Sequence, residues 1–222
     1  MKAIPQRGMG VEMKLVNDRI AQHKIVPVIM LHSADAAVPL AEALVKGGLP
    51  VAEITFRTDA AAGAIKNVAK AYPEILVGAG TVTSVEQAKC AEAAGARFIV
   101  TPGFSRTVTE YCAGHRLPIF PGVCTPSELM WLLEYGLDVA KFFPAAQYGG
   151  LGTIKALSAP FPQMKFMPTG GVSETNILEY LSHPKIIACG GSWMVRKDLL
   201  DNGQFDEVEA LTAKAVSLVK GV

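Results

Sequence analysis

A lysine embedded in an apolar run is the first residue in this sequence that could do chemistry. Lys141 lies in Val139–Ala140–Lys141–Phe142–Phe143–Pro144. A lysine in such a strand must snorkel to water, pair with a carboxylate, or stay desolvated. Desolvation and a neighbouring cation both favour the neutral amine, the form that condenses with a ketone. A second run, Ala52–Glu53–Ile54–Thr55–Phe56–Arg57, alternates so that Glu53, Thr55 and Arg57 share one face and Ala52, Ile54 and Phe56 the other. If the apolar set faces helices, the polar set points inward, toward the face that Lys141 shares with Val139 and Phe143. Glu53 suits general acid/base work, and Arg57 suits bidentate capture of a carboxylate. The competing role for each is an ion pair, Glu53 with Arg57 or Lys141.

Two glycine pairs come late in the chain, Thr169–Gly170–Gly171 ahead of a helix expected near Ser173, and Gly190–Gly191–Ser192 ahead of another helical stretch. Glycine lets backbone N–H groups approach an anion, and a helix N-terminus favours negative charge. A glycine pair alone often only turns the chain. Two of them in the last two loops point to a phosphate site. The four histidines, His23, His32, His115 and His183, are dispersed without metal-ligand spacing. They read as surface or loop residues, with His32, just after the first apolar run, within reach of a ligand. Trp131 and Trp193 read as packing residues.

The elements that must position these groups follow from periodicity. Eight short apolar runs, at 26–31, 51–56, 75–78, 98–101, 118–121, 139–143, 164–168 and 186–189, alternate with Ala- and Leu-rich stretches of helical period. Such alternation implies parallel strands joined by crossover helices. Ser84 with Gln87, and Thr125–Pro126 with Glu128, read as helix starts. Gly47–Gly48, Gly95 and Gly136 read as helix ends. Eight strand–helix units in this length predict a (β/α)8 TIM barrel over residues 25–222, with an open doubly wound sheet as the competing fold. Residues 1–24 form an N-terminal arm whose helix, near 11–24, covers the bottom of the barrel, and 206–220 is the last helix. In a barrel the C-terminal strand ends carry the active site, which is where Glu53–Arg57, Gly80–Thr81, Thr101–Pro102–Gly103 and the glycine pairs fall.

Composition narrows the class. The chain has 222 residues, 50% hydrophobic and 18% charged, with a formal charge of +1. The average soluble protein is roughly 25% charged, so the shortfall fits apolar barrel strands and a buried oligomer contact. Nothing resembles a nucleic-acid footprint or a membrane-binding basic face, and no apolar stretch reaches the ~18 residues of a membrane span. The start shows no secretion-signal pattern. Cys90, Cys112, Cys124 and Cys189 are far apart with no C-x-x-C pair, which argues against structural zinc and a disulfide framework. The expectation is a reduced, cytoplasmic, single-domain protein.

At these residues the chain resembles the 2-keto-3-deoxy-6-phosphogluconate (KDPG) and 4-hydroxy-2-oxoglutarate (KHG) aldolases. The resemblance runs from about Ile25 onward. AEITFRT (52–58), VGAGTV (77–82), TPGFS (101–105), PGVCTPSE (121–128), KFFPA (141–145), FMPTGGVS (166–173) and CGGSW (189–193) carry it in order. It implies a class I aldolase on a (β/α)8 barrel, commonly a homotrimer, acting on a small, phosphorylated 2-oxo acid without metal or cofactor. It implies Lys141 as Schiff-base lysine, Glu53 as general acid/base, and Arg57 and Thr81 at the pyruvate carboxylate. It also implies Pro102 and Phe143 as pocket lining, and Thr169, Gly170, Gly171, Gly191 and Ser192 as substrate contacts. Two departures stand out: Ala146 where many members carry Glu, and Leu31–His32 where some carry a basic residue. Competing readings are a phosphosugar isomerase or epimerase, with Glu53 as base, and a non-catalytic phosphosugar-binding barrel. Trapping with pyruvate and borohydride separates either from an aldolase.

Overall fold

The computed structural model describes residues 6–222. Helix α1 (Gln6–His23) starts earlier than expected, and residues 1–5 of the expected arm lie outside the described residues. Met13, Val16 and Ile20 of α1 are buried, the spacing of one helical face. The Arg19 guanidinium donates to the Glu74 carbonyl at 2.6 Å, just ahead of the third strand. This end of α1 therefore lies at the N-terminal ends of strands, away from the ends where the polar residues collect.

The rest alternates strand and helix: β1 (Ile25–Ile29), α2 (Ala37–Lys46), β2 (Val51–Thr55), α3 (Ala61–Ala71), β3 (Leu76–Gly80), α4 (Val85–Ala93), β4 (Ile99–Val100), α5 (Arg106–His115), β5 (Ile119–Phe120), β6 (Gly122–Val123), α6 (Pro126–Glu134), β7 (Val139–Phe142), α7 (Gly150–Ser158), β8 (Lys165–Pro168), α8 (Ile177–Leu181), β9 (Cys189–Gly191), α9 (Lys197–Asp201) and α10 (Phe205–Val219). All strand pairs are parallel, as alternation demands. They form a six-stranded sheet in the order β5-β4-β3-β2-β1-β9 and a three-stranded sheet β6-β7-β8. Single bridges, Phe166 to Ile186 and Thr169 to Gly190, link β8 to the β9 region. The core is near-continuous because β2, β3 and β7 are buried at every position, as expected for strands covered on both faces.

The helix signals hold with one qualification. Thr125 and Glu128 form a reciprocal capping box. Ser84 accepts from the Gln87 N–H, but the Gln87 carboxamide turns to the Thr83 N–H at 2.7 Å instead of closing the box. Gly48, Gly95 and Gly136 take positive φ of 83°, 98° and 69° at helix ends.

Four details differ from expectation. The fifth apolar run, 118–121, covers only β5; Pro121, which gives no ladder N–H, separates it from a further short strand, β6, beyond the run. The last strand is not Ile186–Cys189 but Cys189–Gly191, in register with Ile25–Pro27. Apolar periodicity cannot see such a strand, because two of its three pairing residues are glycines. They must be: a Cβ on Gly190 would lie 2.3 Å from Thr169 Oγ1, and one on Gly191 1.9 Å from the Trp193 ring. The helix expected near Ser173 begins at Ile177 and is five residues long, after a turn in which Asn176 Oδ1 accepts from the Ser173 N–H. The helical stretch expected after Gly190–Gly191–Ser192 begins only at Lys197, as the five-residue α9.

Candidate active site

Lys141 and Glu53 come together at the centre. Lys141 projects from β7 between Gly122 and Met167, its partners on either side. Glu53 projects from β2, opposite Gly78. They are 3% and 0% exposed, and no other charged residue is buried among the described residues. Lys141 Nζ lies 3.5 Å from Glu53 Oε1, a long contact for a charge-assisted bond. Glu53 Oε2 is buried with no protein partner, although an unsatisfied buried oxygen is costly. The pair thus keeps one strong acceptor open. The Phe143 ring lies under the Lys141 nitrogen, 5.0 Å from centroid to Nζ, within cation–π range. The charged group seen against Lys141 is thus the Glu53 carboxylate, one of the two pairings the sequence left open for it.

One glycine makes room for Glu53, and a second lets the strand beside Lys141 pack closely on its neighbour. A Cβ on Gly80 would sit 2.2 Å from Glu53 Oε1, and one on Gly122 2.3 Å from the Pro102 carbonyl oxygen. Gly80→Ala therefore forces Glu53 out of place. Overpacking costs about 1–3 kcal/mol, and each kcal/mol lowers the melting temperature of a chain this size by about 2–4 °C. The expected result is a drop of several degrees with slower turnover. An unchanged midpoint and unchanged turnover would show that Glu53 has room to spare.

Arg57 and Thr81 meet beside this centre. Arg57 Nε donates to Thr81 Oγ1 at 3.3 Å, leaving further guanidinium N–H donors for a ligand. Thr81 follows β3 with φ of 55°, a strained setting for a β-branched residue. Strain of this kind collects at functional sites. Pro102 is packed by its backbone against Gly122, and Thr101 Oγ1 accepts from the Gly122 N–H at 3.3 Å. Both therefore brace the strand beside Lys141.

A cavity of about 550 Å³ opens at these strand ends, and its lining includes Arg57, Phe143, Thr169, Gly170, Gly171, Gly191 and Ser192. Lys141, Glu53, Thr81 and Pro102 do not line it; Phe143, which does, carries Lys141 Nζ on its ring. Gly170 and Gly171 take φ of 95° and 75°, which an L side chain rarely tolerates. The loop does not run straight into a helix, so helix polarity is not what it offers an anion; backbone freedom and proximity are.

The cavity also has lining residues that alternation did not single out: Val28 within β1 and Met30 just after it, Trp193, Val195, Arg196 and Lys197. Trp193 lines the cavity rather than serving only as packing. The basic pair Arg196–Lys197, four and five residues past Ser192, was a legible signal. His32 lines a separate depression instead. Trp131 is 41% exposed and rests on Phe104 with ring centroids 5.4 Å apart. Among the described residues, no group of three or more His, Cys, Asp or Glu side chains could hold a metal. No helix among them is long and apolar enough to cross a membrane.

Comparison with known proteins converges on one family. The family model described as KDPG and KHG aldolase matches residues 16–211. The 2-dehydro-3-deoxy-phosphogluconate aldolase of Treponema pallidum is 45% identical over 196 residues, 88% of this chain and 93% of that protein. A crystal structure of the Legionella pneumophila KDPG aldolase, with pyruvate captured at low pH as a covalent carbinolamine intermediate, is 40% identical. It superposes with a TM-score of 0.87, covering 90% of this chain and 97% of that one. The Zymomonas mobilis aldolase with 3-phosphoglycerate is 36% identical, covering 94% and 98%, also with a TM-score of 0.87.

Proposed function

The chain belongs to the KDPG and KHG aldolase family, and from that premise we propose how its residues divide the chemistry. It is an aldehyde-lyase that cleaves 2-dehydro-3-deoxy-6-phosphogluconate reversibly to pyruvate and glyceraldehyde 3-phosphate. 4-Hydroxy-2-oxoglutarate, cleaved to pyruvate and glyoxylate, is the second substrate. The observation that carries the reading is the juxtaposition of Lys141 and Glu53, buried together next to a cavity that holds Arg57.

Lys141 Nζ adds to the C2 ketone as a neutral amine, and loss of water leaves a protonated imine. Arg57, steadied by Thr81, holds the carboxylate and so aims the ketone at the amine. Glu53 accepts the C4 hydroxyl proton, directly or through one water, as the C3–C4 bond breaks and its electron pair moves into the imine. The aldehyde leaves from the glycine-loop side, where Thr169, Gly170, Gly171, Gly191 and Ser192 receive its phosphate. Pro102 and Phe143 wall the pyruvate side. The enamine is then protonated at C3, and hydrolysis of the imine frees pyruvate and Lys141. The imine supplies the polarisation that a metal would otherwise give, so no metal or cofactor enters the scheme.

The aldolase relatives leave an isomerase or a passive binder unsupported. The same reading extends to architecture. Counting Ile119–Val123 as one strand bent at Pro121, and joining β8 to β9 through the bridges at Phe166 and Thr169, closes the sheets into an eight-fold barrel over residues 25–222, with residues 1–24 as its arm. Assembly as a homotrimer would cover apolar surface such as Met130, 58% exposed, and Trp131. Four unpaired cysteines suit a reducing cytoplasm. The test is release of pyruvate, followed with a coupled dehydrogenase, from both substrates in the presence of a chelator. Pyruvate should appear from the phosphorylated substrate at an unchanged rate; none from either substrate would overturn the assignment.

A further inference from the structure

We propose that Arg196 sets the preference for a phosphorylated substrate, and that Asp198 is a built-in competitor that tunes it. The inference rests on the aldolase reading of the same cavity. The cavity lining holds three cationic side chains, Arg57, Arg196 and Lys197, and no carboxylate. Arg57 follows β2, whereas Arg196 and Lys197 follow β9. β2 and β9 flank β1 on its two sides, so the strands whose ends lead into these cationic groups lie two spacings apart, about 10 Å. A six-carbon 2-oxo acid phosphorylated at its far end is an extended anion of comparable length, charged at both termini with its reacting carbons between. With its carboxylate on Arg57, its phosphate reaches the side of β9.

Arg196 is placed but not committed. Its Nε and Nη2 donate to Asp198 Oδ1 and Oδ2, both at 3.2 Å, a fork that a phosphate can also accept. The two side chains are 50% and 62% exposed, and exposed ion pairs are weak. A phosphate carries more charge than the carboxylate and has three acceptor oxygens, so it draws the guanidinium over. Asp198 is held below the usual carboxylate range, chiefly by its hydrogen bond to Arg196, so it competes as an anion throughout neutral pH. Lys197 is the lesser contributor: it pairs with Asp201 and also borders the neighbouring depression. The backbone amides of the glycine loops give shape to an anion site; Arg196 gives it net charge.

The experiment measures kcat/KM for pyruvate release from the phosphorylated six-carbon substrate and from its unphosphorylated counterpart, and takes the ratio of the two. Arg196→Gln should lower that ratio about tenfold, through KM more than kcat, the loss expected for one charge-assisted fork. Asp198→Asn should raise it about threefold by freeing the guanidinium, and added salt should shrink both effects. A ratio unmoved in both variants, or lowered by Asp198→Asn, would overturn the proposal. Wild-type protein that releases pyruvate from neither substrate would instead sink the aldolase reading beneath it.

Discussion

Lys141→Met should leave a folded protein that borohydride can no longer label in the presence of pyruvate, and whose aldol cleavage falls by about 10⁴-fold or more. Methionine keeps the length and much of the volume of the lysine stem, so the 3% exposed site stays filled. What it removes is the amine beside Glu53. Breaking a buried ion pair from one side costs about 3–5 kcal/mol, because the surviving charge is left uncompensated. The single variant should therefore melt lower than wild type. Lys141→Met combined with Glu53→Gln should regain most of that loss, since no charge is then orphaned, while staying unlabelled and inactive. That pattern separates chemistry from folding. Peptide mapping of reduced wild-type protein supplies the direct check, with the modified lysine expected at position 141. Labelling that survives in the single variant would move the nucleophile elsewhere.

The sequence carried this centre more clearly than it carried the strands that build it. Glu53 was readable because β2 alternates, so parity turns it inward with Thr55; Arg57 lies two residues past the end of β2, where parity no longer applies, and only its type marked it. Lys141 was readable because an amine in Val-Ala-Lys-Phe-Phe has few physical reasons to exist. The strands that failed to read are those whose pairing residues have no side chain or no N–H. Gly190 and Gly191 form a strand because nothing larger fits against Thr169 and Trp193, a constraint set by residues distant in sequence or by a neighbouring ring. Pro121 interrupts the ladder at the end of its apolar run, so the run gave no sign of β6 beyond it. The contact between Lys141 and Glu53 spans 88 positions, and no local pattern reports how far apart two inward-facing side chains end. Arg57 against Thr81 is a similar case, since φ of 55° at a threonine is invisible in composition. Arg196–Lys197 was visible and passed over, because a basic pair ahead of a short helix reads as solvated surface until the cavity is seen to end there.

Glu53→Gln should slow turnover by about 10²–10⁴-fold, the usual contribution of a positioned general acid/base, yet leave the lysine able to trap pyruvate. Glutamine is close to isosteric, so the pocket that Gly80 leaves for the side chain is refilled without strain. What changes is the capacity to hold a proton. A carboxamide cannot accept the C4 hydroxyl proton, so carbon–carbon cleavage loses its base, while condensation of pyruvate with Lys141 still goes forward, given time. The two measurements should therefore diverge: kcat collapses, and the final extent of borohydride labelling stays near one per chain. The open Oε2 makes the argument specific. A carboxylate kept only to neutralise Lys141 would be expected to spend both oxygens on donors already in the protein, because an unmet buried acceptor costs about 1–3 kcal/mol. Leaving one unspent makes sense if a substrate hydroxyl or water completes it during the reaction. If Glu53→Gln turns over at nearly the wild-type rate, Glu53 is only the counter-ion of the lysine, and the base must be sought among groups that line the cavity.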